Sequence, residues 1–149
     1  MAVMRERPYS NFNFLVNLGT GEIDSVQAGF SEVHLPDIKV DVLEYRTGNA
    51  RELASRKLPG RVSYGDLVLR RGVIGALDLY EWLDQVRQGA DARRTVMIEL
   101  QNEDRTEIVL RWRFTKAFPV GYEFSDLQGE GQSIVIETLR LTFEQMSLE

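Results

Sequence analysis

The residues that could do chemistry are few and scattered. His34, the single histidine, lies beside Leu35-Pro36 at a turn. With no cysteine and no second histidine, a metal site would need carboxylates alone, and no acidic cluster has the spacing of a calcium loop. The carboxylate pairs Glu22 with Asp24 and Glu103 with Asp104 fall at turns, where solvated acids are usual, so they support no glycosidase-type acid–base pair by themselves. Gly19-Thr20-Gly21 lacks the third glycine, the lysine and the following helix of a phosphate-binding loop. Arg111-Trp112-Arg113 interleaves basic and aromatic residues, but strand alternation puts Trp112 on the face opposite both arginines, and a nucleic-acid stacking platform needs them together. The sequence therefore predicts no catalytic, cofactor-binding or metal-binding residue.

Composition sets the next bounds. A chain of 149 residues, 43% hydrophobic and 28% charged, fits one domain spanning 1–149 with one core. No run of about 18 apolar residues is present, and Met1 to Ser10 lacks the apolar stretch of a secretory signal. These features predict a protein made in the cytoplasm that does not insert into membrane. The absence of cysteine removes disulfides and thiolate chemistry. A net charge of −5 argues against a dedicated nucleic-acid binder. The average hides an asymmetry, however. From Arg46 to Arg71 seven basic residues (Arg46, Arg51, Arg56, Lys57, Arg61, Arg70, Arg71) face two acidic ones (Glu52, Asp66), a surplus of five that leaves the rest of the chain at −10. Such a segment is either a solvated loop or a surface that docks on an acidic face of another copy.

Hydrophobic spacing predicts the elements that position these residues. Asn11 to Leu18 alternates as a half-buried strand, and Gly19-Thr20-Gly21 supplies a turn. Ile23 to Val33 and Ile38 to Tyr45 read as the two arms of a long polar ribbon. Arg46 to Gly65 loses periodicity while Gly48, Asn49, Pro59, Gly60 and Gly65 accumulate, which predicts an extended loop ordered by contacts of Leu53, Leu58, Val62 and Tyr64. A helix is expected over about 74–88, capped by Gly89, with Trp82 and Tyr80 in the core. Val96 to Leu100 and Ile108 to Phe114 form a hairpin with one buried face that includes Trp112. Pro119 and Gly121 mark 117–124 as an edge or bulged strand. A last strand, 133–146, changes apolar parity between Ile136 and Leu139, which predicts a bulge or a passage from one sheet to another. The elements are mainly β, with one helix packed on a sheet surface. The open strand edges of such a molecule suit pairing between copies in a closed ring.

An ordered series of segments carries a family resemblance. It comprises Asn11 to Val16, Ala28 to Val33, Glu44-Tyr45-Arg46-Thr47-Gly48-Asn49, Arg56-Lys57-Leu58-Pro59-Gly60, Val68 to Val73, Leu79 to Leu83, Ala117-Phe118-Pro119 and Glu137 to Leu141. Together they resemble the tail tube family of contractile phages and phage-like injection systems over nearly the whole chain. The resemblance implies a fold of two packed antiparallel sheets forming a β-sandwich or barrel with one flanking helix, in a structural subunit that catalyses nothing and needs no cofactor, assembled with itself as homohexameric rings stacked into a tube inside a sheath. It implies sheath, baseplate and tube-terminating partners, and a lumen conducting effector protein or DNA, in a phage tail or an injection particle that is released or membrane-anchored. It also implies that the loop 46–60 contacts neighbouring subunits and rings, through Tyr45, Arg46, Asn49, Arg51, Arg56, Lys57, Leu58, Pro59 and Gly60. The ribbon 23–45 and strands within 94–114 become lumen candidates on the same ground. Two alternatives stand beside it: a type VI secretion tube protein or effector carrier of the same fold, and a small β-barrel ligand-binding protein or enzyme.

Overall fold

A computed structural model describes residues 1–19, 29–49 and 56–149. Its elements run β1 (Phe14–Asn17), β2 (Glu32–His34), β3 (Ile38–Tyr45), β4 (Arg56–Tyr64), β5 (Leu67–Gly72), α1 (Asp78–Arg87), β6 (Arg94–Gln101), β7 (Ile108–Phe124), β8 (Ile136–Thr142) and β9 (Gln145–Leu148). Seven strands follow the order β1-β6-β7-β8-β5-β2, with β9 also on β7, and every pairing is antiparallel. The 17-residue β7 serves two leaves. Its first part pairs with β6 and β9, and residues 118–124 pair with β8.

The corner between the leaves is local chemistry. Lys116 holds a left-handed backbone, φ 53°, beside the register shift that separates Val96↔Phe114 from Arg94↔Ala117. An extra residue at that point bends the strand and increases its twist. A second shift, between Pro119 and Gly121, falls where β7 pairs on one side only, an edge position of the kind in which proline is tolerated. The expectation of a bulged edge at 117–124 is met.

Between the leaves lies one core: Val16, Val96, Ile98 and Phe114 from the first, Leu67, Leu69, Leu139 and Leu141 from the second, closed by Leu79 and Trp82 of α1. Trp82 is fully buried and its indole N–H donates to the Ala92 carbonyl at 2.7 Å. Its predicted core role holds. Tyr80 instead is 43% exposed and binds Arg87, and Trp112 only packs partly against the core. The helix is shorter than 74–88. Gly75 has φ +84°, which breaks the helical path, while Gly89, at φ +79°, takes the left-handed conformation expected beyond the C-terminus.

Two expectations need correction. The partner of β3 is β4 (Ile38↔Tyr64 through Tyr45↔Arg56), so the ribbon is 38–45 with 56–64 and not 23–45; residues 23–28 lie outside the described residues, and β2 pairs with β5. Residues 56–64 of the expected 46–65 loop are therefore a strand. Its period was hidden because β4 uses three residues against two of β3 between Val40↔Val62 and Val42↔Pro59, which shifts the apolar set by one. The parity change near 136–139 has another cause as well. β8 pairs with β5 in unbroken register, and the inward position before Leu139 is taken by Glu137, 2% exposed, not by an apolar residue. The last stretch is also two strands, interrupted at Phe143-Glu144.

Glu137 tolerates burial because it is matched. Arg71, 1% exposed, donates from Nε to Glu137 and from its Nη atoms to Asp78 at the start of α1, and Tyr122 Oη donates to Glu137 at 2.5 Å. Desolvation works against the Arg71 charge, but the hydrogen bonds from Asp78 and Glu137 outweigh it and raise its pKa; burial and the Glu137 hydrogen bond push the Tyr122 hydroxyl up. The cluster ties β5, β7, β8 and α1 together.

Candidate functional site

The residues singled out for assembly converge on the β3–β4 hairpin. Every residue of β3 is exposed, and the two strands form a sheet of their own, separate from the seven-stranded one. The register sorts its side chains into two faces. Ile38, Val40 and Val42 share one face with Tyr64, Val62 and Pro59, and Glu44 and Lys57 close it at the far end. The opposite face carries Lys39, Asp41, Ser63 and, distally, the Leu43–Leu58 and Tyr45–Arg56 pairs. Val42 is 59% exposed and Leu43 56%. A water-exposed ribbon with an apolar face has a hydrophobic driving force to be covered, roughly 25 cal/mol per Å² of apolar surface.

Sequence and backbone explain why this arm is extended. Gly60 sits at the bulge, where an added Cβ would lie 3.0 Å from the Asp41 carbonyl oxygen and 3.2 Å from Leu43 Cγ, so a side chain there would require the facing strand to give way by a few tenths of an ångström. Pro59, whose ring locks φ at about −65°, has no N–H to give the ladder. Of the predicted contact residues, Tyr45, Arg46, Asn49, Arg56, Lys57, Leu58 and Pro59 are exposed and Gly60 is half-buried. Arg51 lies outside the described residues. Among the described residues, Arg46, Arg56, Lys57 and Arg61 have no carboxylate within ion-pair distance, whereas Arg5 has one and Arg71 and Arg111 have two each. Those four cations thus have no carboxylate partner among the described residues.

Sequence reading missed a second structural feature, the strap formed by the first 13 residues. Val3 N–H donates to the Val109 carbonyl at 2.9 Å. Arg5 forks onto Glu103 with distances of 2.8 and 2.5 Å and stacks on Tyr9, 3.7 Å from the ring centre. Asn13, 4% exposed, donates to the carbonyls of Asn102 and Glu103 at 3.2 Å each and accepts from Arg105 Nε at 3.0 Å. The Arg5 hydrogen bond holds the Glu103 carboxyl well below the usual range, at about 2. Glu103 is therefore a structural anchor for the strap and not merely a solvated turn acid. The available signal was the series Asn11, Asn13 and Asn17 leading into β1, which alternation alone assigns to water.

For catalysis the geometry offers little. His34 is exposed on β2. Among the described residues no group of three or more histidine, aspartate or glutamate side chains could hold a metal ion, and no helix is long and apolar enough to cross a membrane. Arg111 is turned to Glu99 at 2.9 Å, and Trp112 lies on the opposite face, as alternation predicts.

Comparison with known proteins places the fold. No curated protein sequence matches. A chain in the six-fold symmetrised baseplate of the anti-feeding prophage superposes with a TM-score of 0.82 at 27% identity, covering 97% of each chain. One in the sheath–tube complex of the PVC extracellular contractile injection system, in the extended state, gives a TM-score of 0.83 at 25% identity over 97% of this chain and 93% of that one. Hcp1 from Flavobacterium johnsoniae shares the fold alone, with a TM-score of 0.56 at 15% identity over 92% and 94% of the two chains. Residues 10–147 match the model of the T4-like virus tail tube protein gp19, and the chain belongs to that family.

Proposed function

We propose that this protein is the inner tube subunit of a contractile injection particle or contractile tail, which joins copies of itself into hexameric rings and stacks them around a channel. The single observation that carries the reading is the family match across 10–147, on a chain whose hairpin exposes an apolar face. The six-fold symmetry of the anti-feeding prophage baseplate supports the ring number. Sheath, baseplate and terminator partners are supported by the assemblies in which its structural relatives sit. The type VI tube alternative rests on a likeness of fold at 15% identity, and so has less support than the injection-particle reading.

In this reading the subunit works mechanically and catalyses no reaction. A sheath contracts around the tube and drives it forward with its luminal cargo, protein or DNA. Rigidity comes from strand pairing and buried contacts, and the basic hairpin of one subunit meets the acidic remainder of the next, at Tyr45, Arg46, Asn49, Arg51, Arg56, Lys57, Leu58, Pro59 and Gly60. It is made in the cytoplasm and becomes part of the particle without entering a membrane. Negative-stain electron microscopy of the purified protein, across concentration and salt, tests this. Rings or tubes with a central channel are expected; a monomer under every condition, including in the presence of baseplate proteins, would refute the reading.

A further inference from the structure

The β3–β4 hairpin stands on a narrow root. Every residue of β3 is exposed, and in β4 only Gly60 and Tyr64 are not. Gly60 has no side chain, so among the described residues of the hairpin strands Tyr64 alone packs against the core. Tyr64 ends β4 and pairs with Ile38, the first residue of β3, so it sits where the arm meets the body. Its ring lies 5.2 Å from that of Phe143, tilted by 49°, and the Phe143 ring lies 4.8 Å from that of Phe114 in an edge-on contact. Phe143 fills the break between β8 and β9, and Phe114, fully buried, borders the bulge at which β7 turns from one leaf to the other. A row of three rings therefore runs from the root of the arm to the corner of the fold, each neighbouring pair within the range in which aromatic rings attract.

We propose that Tyr64 is a positioning residue: by seating on Phe143 and, through it, on Phe114, it fixes the direction in which the hairpin leaves the body. The other links at the root are weaker guides. The Gly65 N–H donates to the Asp37 carbonyl at 3.1 Å, which joins the two chains of the arm to each other and not to the body. The nearby ion pairs, Lys39 with Asp37 and Arg140 with Asp66, are each 3.7 Å long with partners open to solvent, a class that contributes little in water. Direction matters because the arm is a lever. At about 3.3 Å per residue β3 carries Tyr45 about 23 Å beyond Ile38, so a pivot of about 10° at the root displaces Tyr45 by about 4 Å. An arm held at its root meets a partner already aimed, and loses less conformational freedom on association than one that swings. That consequence rests on the tube reading above, whereas the ring contacts and the direction they set belong to the single chain.

The absence of cysteine lets spin labels read the arm directly. Full-length protein is labelled at Val42→Cys, 59% exposed on β3, and at Gln85→Cys, on the exposed side of α1. It is diluted into unlabelled protein, and the distance distribution is measured by double electron–electron resonance. A second pair, Q85C/V120C, reports on the body alone, since Val120 lies on β7 and is 48% exposed. Val42 stands about 13 Å out along the strand from Ile38, so a swing of about 20° widens the V42C/Q85C distribution by about 4 Å. The proposal expects that widening in Tyr64→Ala, a single narrow distribution with Tyr64 in place and in Tyr64→Phe, which keeps the ring, and an unchanged Q85C/V120C width throughout. A broad distribution with Tyr64 in place, no widening in Tyr64→Ala, equal widening in Tyr64→Phe, or the same widening of the body pair would each overturn it. Light scattering of unlabelled Tyr64→Ala reads the consequence: the critical concentration for assembly should rise by about three-fold or more, and an arm that widens without that rise overturns the link from direction to assembly. Wild-type protein that never assembles overturns the tube reading and leaves the spin-label result to decide the role of Tyr64.

Discussion

Removing Glu137 should expose how the two leaves are held together. Arg71 is 1% exposed and its Nε is bound by Glu137, itself 2% exposed. Glu137→Leu leaves a buried guanidinium with Asp78, which is about one-third exposed, and strips the Tyr122 hydroxyl of its acceptor. Breaking one partner of a buried ion pair costs about 3–5 kcal/mol, because the remaining charge has lost its compensation in a medium that solvates it poorly. Asp78 still faces Arg71, so the expected loss is at the lower end, about 3 kcal/mol. For a chain of this size that corresponds to a fall in Tm of roughly 6–12 °C. The double variant R71M/E137L removes both charges and fills the space with apolar atoms, and should recover most of the loss. The assay is urea and thermal unfolding followed by circular dichroism, carried out in a hairpin-charged V42D background so that assembly does not add to apparent stability. Glu137→Leu within 1 kcal/mol of its parent, or a double variant as unstable as the single one, would refute the argument that this cluster is a charge-matched core element.

Trp82→Ala should cost about 3–5 kcal/mol, since the ring is fully buried and the Ala92 carbonyl loses its donor, whereas Trp112→Ala, half-buried, should cost clearly less; equal losses in chemical denaturation would contradict the burial assignment. Glu103 has a folded pKa depressed to about 2, so the stabilisation it lends the strap is present above the ordinary carboxylate value and lost as pH falls through about 2; a side-chain carboxyl titration by NMR should show that midpoint in wild type and an ordinary one in Arg5→Ala. Val40→Asp with Val42→Asp should abolish rings and tubes while leaving the monomer's Tm within about 2 °C, because both side chains are already in water. Tube growth should weaken with added salt if partly solvated contacts of the basic segment contribute, and insensitivity between 50 and 500 mM, on the order of a three-fold change in Debye length, would remove them from the account.

The sequence by itself determined the class of fold, the hairpin of β6 with the first part of β7, the core role of Trp82 and the family, because these rest on short-range alternation, helical spacing and an ordered run of segments. Tertiary structure decided what local periodicity cannot carry. The partner of β3 depended on a bulge at Gly60 that shifts the pattern of β4 by one residue, so a strand read as a loop. Glu137 looked like a break in an apolar face, and only the arrival of Arg71 from β5, 66 residues away in sequence, and of Tyr122 makes it an inward residue. Arg5 and Glu103 stand 98 positions apart and read singly as surface charges. In each case the deciding interaction is long-range, and its free energy appears only when the chain has brought the two partners together out of water.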